Sequence, residues 1–153
     1  MYLLTVVSVI VLIGVLCLYG GSFRAIVFFL DIPTAVLLLL FTMALLLSAG
    51  MLKDFNNAFR LVIGKKKVQG LKELKRAEEA VSLAFRMLIS EGVFFFFVES
   101  VIILGRMDTP MALGPNLAVA ILSLVYSLGA ALMLLPLKSI LSMKIQEFIS
   151  EEE

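Results

Sequence analysis

Four long apolar runs constrain what this chain of 153 residues can fold into. The hydrocarbon core of a bilayer is about 30 Å thick, so a helix that crosses it needs about 20 predominantly apolar residues. The runs have roughly that length and occupy residues 2–18, 34–52, 87–105 and 117–137. Since 61% of all residues are hydrophobic, the sequence predicts one all-α integral membrane domain, residues 1–153, with four transmembrane helices.

The basic residues predict how these helices are oriented. Of the thirteen Lys and Arg residues, nine lie between the second and third runs, at positions 53, 60, 65, 66, 67, 72, 75, 76 and 86. Lys138 and Lys144 follow the fourth run. By the positive-inside rule, residues 53–86 and the tail 138–153 are cytoplasmic, and so is the N-terminus. The first run has no basic segment before it and is interpreted as a retained helix rather than a signal peptide.

Local signals mark the start and continuation of the second membrane helix. A short external turn at residues 20–22 and an interfacial segment at residues 25–30 precede Asp31 and Pro33, which are typical of a helix N-terminus. We expect the Asp31 carboxylate to accept hydrogen bonds from free backbone N–H groups there. Beyond residue 52 an apolar stripe predicts that this helix continues to about Gly64; its members are Phe55, Ala58, Phe59, Val62 and Ile63.

Two further apolar stripes lie outside the predicted membrane spans. A solvated basic turn at residues 65–67 precedes a helix predicted to run from Val68 into the third span. Its stripe comprises Leu71, Leu74, Ala77, Val81 and Phe85, and the tail carries Ile140, Leu141, Ile145, Phe148 and Ile149. Either the membrane helices extend beyond the bilayer and pack on each other, or the stripes form a docking surface for another protein.

The composition argues against an enzyme. The chain has no histidine, which is the usual metal ligand and general base near neutral pH. Its one cysteine, Cys17, cannot close an internal disulfide. We therefore expect no catalytic residues, no metal and no cofactor. The net charge of +1 gives no indication of a nucleic-acid partner, and none is expected.

Glu99 is the most informative polar residue in the predicted spans. It lies six residues inward from Gly105, about 9 Å deep at 1.5 Å per residue. An ionised carboxylate there costs several kcal/mol, so it should be protonated, paired or facing water. Ser123 and Thr42 lie about 9 and 12 Å from the external ends of their helices. Glu99 is either protonated and hydrogen-bonded to one of these hydroxyls as a contact between helices, or it titrates beside a pore. Glu91 is predicted to lie near the cytoplasmic boundary of its span, where it suits a helix N-terminus.

Small residues recur along the fourth span at intervals of three to four. They are Ala120, Ser123, Ser127, Ala130 and Ala131. In lipid, such a face lets helix backbones approach closely, which predicts a helix or oligomer interface at Ala120, Ser127, Ala130 and Ala131. The alternative is that the small face lines an ion path.

Two clusters of residues resemble the flagellar stator A-subunit family, which includes the TolQ and ExbB energisers. The first is Phe-Leu-Asp-Ile-Pro-Thr at residues 29–34, followed by Thr42, Leu-Ser at 47–48 and Leu-Lys-Asp-Phe-Asn-Asn-Ala-Phe at 52–59. The second is Asp-Thr-Pro at 108–110 and Ala-Leu-Gly-Pro at 112–115, continuing through Tyr126 to Leu-Pro-Leu at 135–137. Together they cover about a third of the chain, whose cytoplasmic segment is short for that family.

The resemblance implies a function and an assembly. It implies a multi-pass subunit of the bacterial cytoplasmic membrane, five copies of which surround the single-span helices of a B-type partner and conduct protons. Candidate residues of the ion path are then Glu99, Thr42, Ser123 and Tyr126. The alternative is a non-conducting scaffold or regulatory subunit that keeps the same helices. In both cases we expect contact with membrane lipid and a homo-oligomer.

Cysteine labelling tests the predicted topology. A cysteine placed at Ser22 should react with a membrane-impermeant thiol reagent in intact cells, whereas one placed at Lys66 should not, because the basic segment is predicted to be cytoplasmic. The parent chain, with Cys17 alone, is the background control. The reverse labelling pattern would overturn the orientation and the family resemblance together.

Overall fold

The fold is entirely helical in the residues that the computed structural model describes, which are 2–19, 31–64, 70–106 and 113–152. Its helices are α1 (Tyr2–Tyr19), α2 (Ile32–Ser48), α3 (Leu52–Val62), α4 (Leu71–Gly105) and α5 (Leu113–Glu152). The predicted external turn, the interfacial segment at 25–30 and the basic turn at 65–67 lie outside these residues, as does Val68. The all-α prediction is confirmed for the described part of the chain.

Two helices, α4 and α5, are long and apolar enough to cross a membrane. A third span results only if α2 and α3 count as one, although they meet at a bend of 107°. Among the described residues, two helices, or up to three, could therefore span a membrane by their length and composition, and the four-span arrangement stays a prediction. With 35 and 40 residues, α4 and α5 are about 52 and 60 Å long, so both extend well beyond a hydrocarbon core of about 30 Å.

The predicted uninterrupted continuation of the second helix to Gly64 is wrong, because a tight turn at Gly50 ends α2. Gly50 has a φ of 69°, in the left-handed region that favours glycine. The N–H of Met51 donates to the carbonyl of Leu46 and that of Gly50 to Leu47, both at 3.0 Å. This pair of bonds is a Schellman motif, which satisfies the last carbonyls of α2 and redirects the chain. The amphipathic stripe therefore belongs to a separate helix, α3.

The N-terminus of α2 differs in one respect from its prediction. Asp31 is the N-cap residue and Pro33 lies in the first turn, as expected. The carboxylate of Asp31, however, accepts a hydrogen bond of 2.6 Å from the Thr34 hydroxyl and none from a backbone N–H. The backbone N–H of Asp31 donates to the Tyr126 hydroxyl at 2.8 Å. The start of α2 is thereby attached to the middle of α5.

The best-packed part of the core lies where α3 crosses α4 and α5, at the ends predicted to be cytoplasmic. The large side chains that are fully buried there come from four helices: Leu46, Leu61, Leu74, Val81, Leu137 and Leu141. Both stripes outside the predicted membrane spans contribute to this core, while Ile149 at the end of the tail stays 40% exposed. The interpretation that the helices extend and pack on each other is thus confirmed for most of both stripes.

Polar contacts hold α3 against its neighbours. The ammonium of Lys144 on α5 donates to the carbonyl oxygen of Leu61 at 2.7 Å, which places a cation at the C-terminal end of α3. Asn57 donates to the Glu73 carboxylate on α4 at 2.8 Å. These contacts fix the direction of α3 after the bend.

The turn at Gly50 generates a stability prediction. Gly50→Ala should lower the free energy of unfolding by about 1–2 kcal/mol, the cost of the left-handed conformation for a residue with a Cβ atom. The control is Gly129→Ala, since Gly129 is within α5 and a Cβ there meets nothing within 4 Å. It should leave stability unchanged or slightly higher. Unfolding in mixed micelles measures both variants, and equal losses would contradict the assigned role of Gly50.

Candidate functional site

Two carboxyl groups lie in the apolar half of α4. Glu91 and Glu99 are separated by eight residues, so by about 12 Å along the helix axis. Their side chains meet different neighbours: Glu91 contacts α2, and Glu99 contacts α5. Each is therefore held by a different pair of helices.

Glu99 is partly buried beside Ser123 of α5. The Ser123 hydroxyl, which is fully buried, donates to the carbonyl oxygen of Ala120 at 2.7 Å. A hydroxyl has only one hydrogen, so a hydrogen bond that leaves this contact intact requires a protonated Glu99 as the donor. The Oε2 atom of Glu99 is buried and has no hydrogen-bond partner among the described residues. Asp31 is close enough to interact electrostatically with this carboxyl group.

Glu91 is more completely buried, with 3% of its surface exposed. Its Oε2 atom is 2.7 Å from the Thr42 hydroxyl, which is also 2.9 Å from the carbonyl oxygen of Leu38. Its other oxygen, Oε1, is buried and makes no hydrogen bond within the described part of the chain. An unsatisfied buried acceptor costs about 1–3 kcal/mol, and more if it is charged. Both carboxyl groups have one such oxygen, but Glu91 is the more deeply buried of the two.

The structure brings one of the two candidate hydroxyls to Glu99. Ser123 lies beside Glu99 as expected, but Thr42 pairs with Glu91. The fourth candidate of the ion path, Tyr126, bonds the start of α2 through its hydroxyl. The four candidates of the ion path therefore take part in three separate polar contacts and do not form one continuous group. The contacts are Glu99 with Ser123, Thr42 with Glu91, and Tyr126 with the backbone of Asp31.

The small-residue face of α5 packs inside the chain. Ala120, Ser127 and Ala131 are at most 2% exposed, and Ala130 is half-buried against the core. Opposite them is Gly92 of α4, where an added Cβ would overlap the side chain of Ser127 and lie 3.3 Å from the carbonyl oxygen of Ser123. The two backbones approach as closely as a small-residue contact allows. Whether these residues also serve an oligomer stays a prediction.

Sequence reasoning missed the pairing of Glu91 with Thr42 and the close contact at Gly92. Glu91 is not near a helix N-terminus, because α4 begins 20 residues earlier, at Leu71, and its place near the cytoplasmic boundary of the span stays a prediction. The signal available in the sequence was the adjacent pair itself: a carboxyl residue next to a glycine in an apolar helix. Such a pair combines a side chain that needs a polar partner with a point of close helix contact.

The chemistry available at this site is proton exchange and hydrogen bonding. Over the described ranges, no group of three or more His, Cys, Asp or Glu side chains is arranged to hold a metal ion. Carboxyl and hydroxyl groups in a low-dielectric environment can take up and release protons when water reaches them.

Comparisons with known proteins do not assign the chain to a family. No protein-family model matches it, and no similar curated protein or solved structure is found at a significant level. The resemblance to stator A subunits therefore rests on the sequence motifs.

The close contact at Gly92 generates a prediction for helix packing. Gly92→Ala should lower the free energy of unfolding by about 1–3 kcal/mol, as overpacking commonly does. Combining it with Ser127→Gly should recover part of that loss, because the second change removes the overlapping side chain. Gly105→Ala, at a position with open space, is the control. Additive losses in the double variant would show that the two positions do not touch.

Proposed function

We propose that the chain is the A-type subunit of a proton-driven membrane complex of the stator, TolQ and ExbB kind. In this proposal several copies, five by the resemblance, form a ring in the bacterial cytoplasmic membrane around a single-span B-type partner, with both termini in the cytoplasm. Ions pass near the contact of α4 and α5. The sequence motifs suggest this assembly, and the placement of Glu99 supports it.

The observation that carries the proposal is the environment of Glu99. Its carboxyl group lies between two membrane helices, beside a hydroxyl, with one buried oxygen that has no partner in the described residues. Ionisable groups at such depth are costly and characteristically belong to ion or proton pathways. The unused Oε2 atom offers a second place for the proton, and release of the proton rearranges the contact with Ser123.

The exposed apolar surface supports the proposed assembly. Leu39 and Leu40 of α2 are each 63% exposed, and Val101 of α4 is 70% exposed. Extended apolar surfaces on a membrane helix contact either lipid tails or another protein. A ring of identical copies and a partner helix would cover part of this surface, and lipid would cover the rest.

The second candidate is a non-conducting scaffold or regulatory subunit. The contact between Gly92 and Ser127 favours it, because residues at the proposed ion path are used for tight packing within one chain. Copurification separates the two functions: a single-span B-type protein recovered with the chain from native membranes favours conduction. Native mass spectrometry in mild detergent tests the ring, and finding only monomer would contradict it.

Proton flux tests the proposed function directly. In proteoliposomes that contain the chain and its copurified partner, Glu99→Gln should lower flux by roughly 100-fold or more, since a positioned proton-transfer group contributes at least about that factor. Glutamine keeps the shape and most hydrogen bonds but cannot titrate. Glu79→Gln, an exposed position on the same helix, is the control and should leave flux unchanged. Equal flux for wild type and Glu99→Gln would favour the scaffold.

A further inference from the structure

The strongest feature outside the proposed path of Glu99 is the carboxyl group of Glu91. We propose that Glu91 and Thr42 form a second proton-binding site, which exchanges protons with water through the groove between α2 and α4. Proton binding at this site does not depend on the proposed function. A role of Glu91 in passing protons on to Glu99, by contrast, rests on the proposed function in proton conduction.

The hydrogen-bond geometry gives the site two arrangements. The Thr42 hydroxyl has one hydrogen and two acceptors within reach, Glu91 Oε2 at 2.7 Å and the Leu38 carbonyl oxygen at 2.9 Å. When Glu91 is protonated, its O–H donates to Thr42 Oγ1, and Thr42 donates to Leu38. When the proton leaves to water, Thr42 rotates its hydrogen toward Oε2 and stabilises the carboxylate. Leu38 then keeps only its helical backbone hydrogen bond.

The distance between the two oxygens identifies the contact as a hydrogen bond. Thr42 Oγ1 and Glu91 Oε2 are 2.7 Å apart, the usual separation of an O–H···O hydrogen bond, so one hydrogen lies between them. That hydrogen belongs either to the hydroxyl or to the carboxyl group, and the two cases are the two arrangements of the site.

A groove of about 420 Å³ lies between α2 and α4, and Glu91 is one of its lining residues, whereas Thr42 is not. Phe41 of α2 and Phe94 of α4 contribute to its apolar walls, and Arg86, Ser90 and Glu91 are its polar residues. Arg86 and Ser90 are exposed, and both precede Glu91 on α4, on the side predicted to be cytoplasmic. In the proposal, water that enters past Arg86 reaches Glu91 and takes its proton when the buried carboxyl group turns toward the groove.

Few other charges act on Glu91. Residues Ile32–Ser48 of α2 include no charged side chain, and residues 113–137 of α5 contain Tyr126 as their one titratable group. On α4, Arg86 shares the groove and Glu99 lies about 12 Å further along the axis. The buried Oε1 atom has no hydrogen-bond partner among the described residues, so no second donor holds the carboxyl group in one protonation state.

Infrared spectroscopy of the full chain in lipid vesicles, with ¹³C-labelled glutamate, tests proton binding without requiring flux. We expect protonated carboxyl bands from Glu91 and Glu99, one of which disappears in Glu91→Gln and the other in Glu99→Gln. Thr42→Val should shift the Glu91 band because the hydroxyl partner is lost, and Thr42→Ser should restore it. Raising the pH on the side of Arg86 should remove the Glu91 band in wild type.

The outcomes separate this inference from the proposed function. A Glu91 band that titrates supports the proton site even if no preparation conducts protons, in which case the proposed function fails alone. With conduction, Glu91→Gln should also lower flux by roughly 10-fold or more. A Glu91 band that stays constant over the whole pH range in which the protein remains folded would overturn the inference. It would do so even if Glu99→Gln abolishes flux.

Discussion

The close approach of α4 and α5 is the contact on which the rest of the structure depends. It requires a glycine, because at Gly92 even a single Cβ would collide with Ser127. Once the two backbones are this near, Ser123 is brought to Glu99, and the apolar faces beyond the predicted membrane spans meet as one core. In lipid no hydrophobic effect drives helices together, so such close van der Waals packing is what stabilises the pair.

This packing also explains why the two glutamates differ. Glu99 lies on α4 where α5 supplies a hydroxyl, whereas Glu91 faces α2, whose Thr42 supplies another. Both hydroxyls also lie within hydrogen-bond distance of a carbonyl oxygen of their own helix. A threonine or serine in a membrane helix commonly satisfies its hydroxyl in this way. Each carboxyl group thus meets a hydroxyl that has a second acceptor, a backbone carbonyl oxygen, within reach.

Much of the fold could be predicted from the sequence, because hydropathy and helical spacing are local signals. The stripes at Leu74 and Val81 and at Leu141 are buried as their spacing indicates. The pairing of Thr42 with Glu91 could not be predicted, since counting residues from helix ends gives depth but not rotation about the axis. The turn after α2 was missed because apolar residues lie on both sides of Gly50 and suggested one helix, although glycine is common just past a helix C-terminus; the φ of Gly50 shows the break.

The continuity of α5 has a mechanical consequence. One helix of 40 residues connects the apolar segment that faces α4 with the tail whose Lys144 binds the end of α3. A helix transmits rotation and translation along its axis because its backbone hydrogen bonds resist torsion. Pro136 is the weak point, since proline cannot donate to the carbonyl of the preceding turn. A movement of the N-terminal part of α5 would therefore be transmitted to α3 through Lys144. Any bending of α5 during that movement is expected near Pro136.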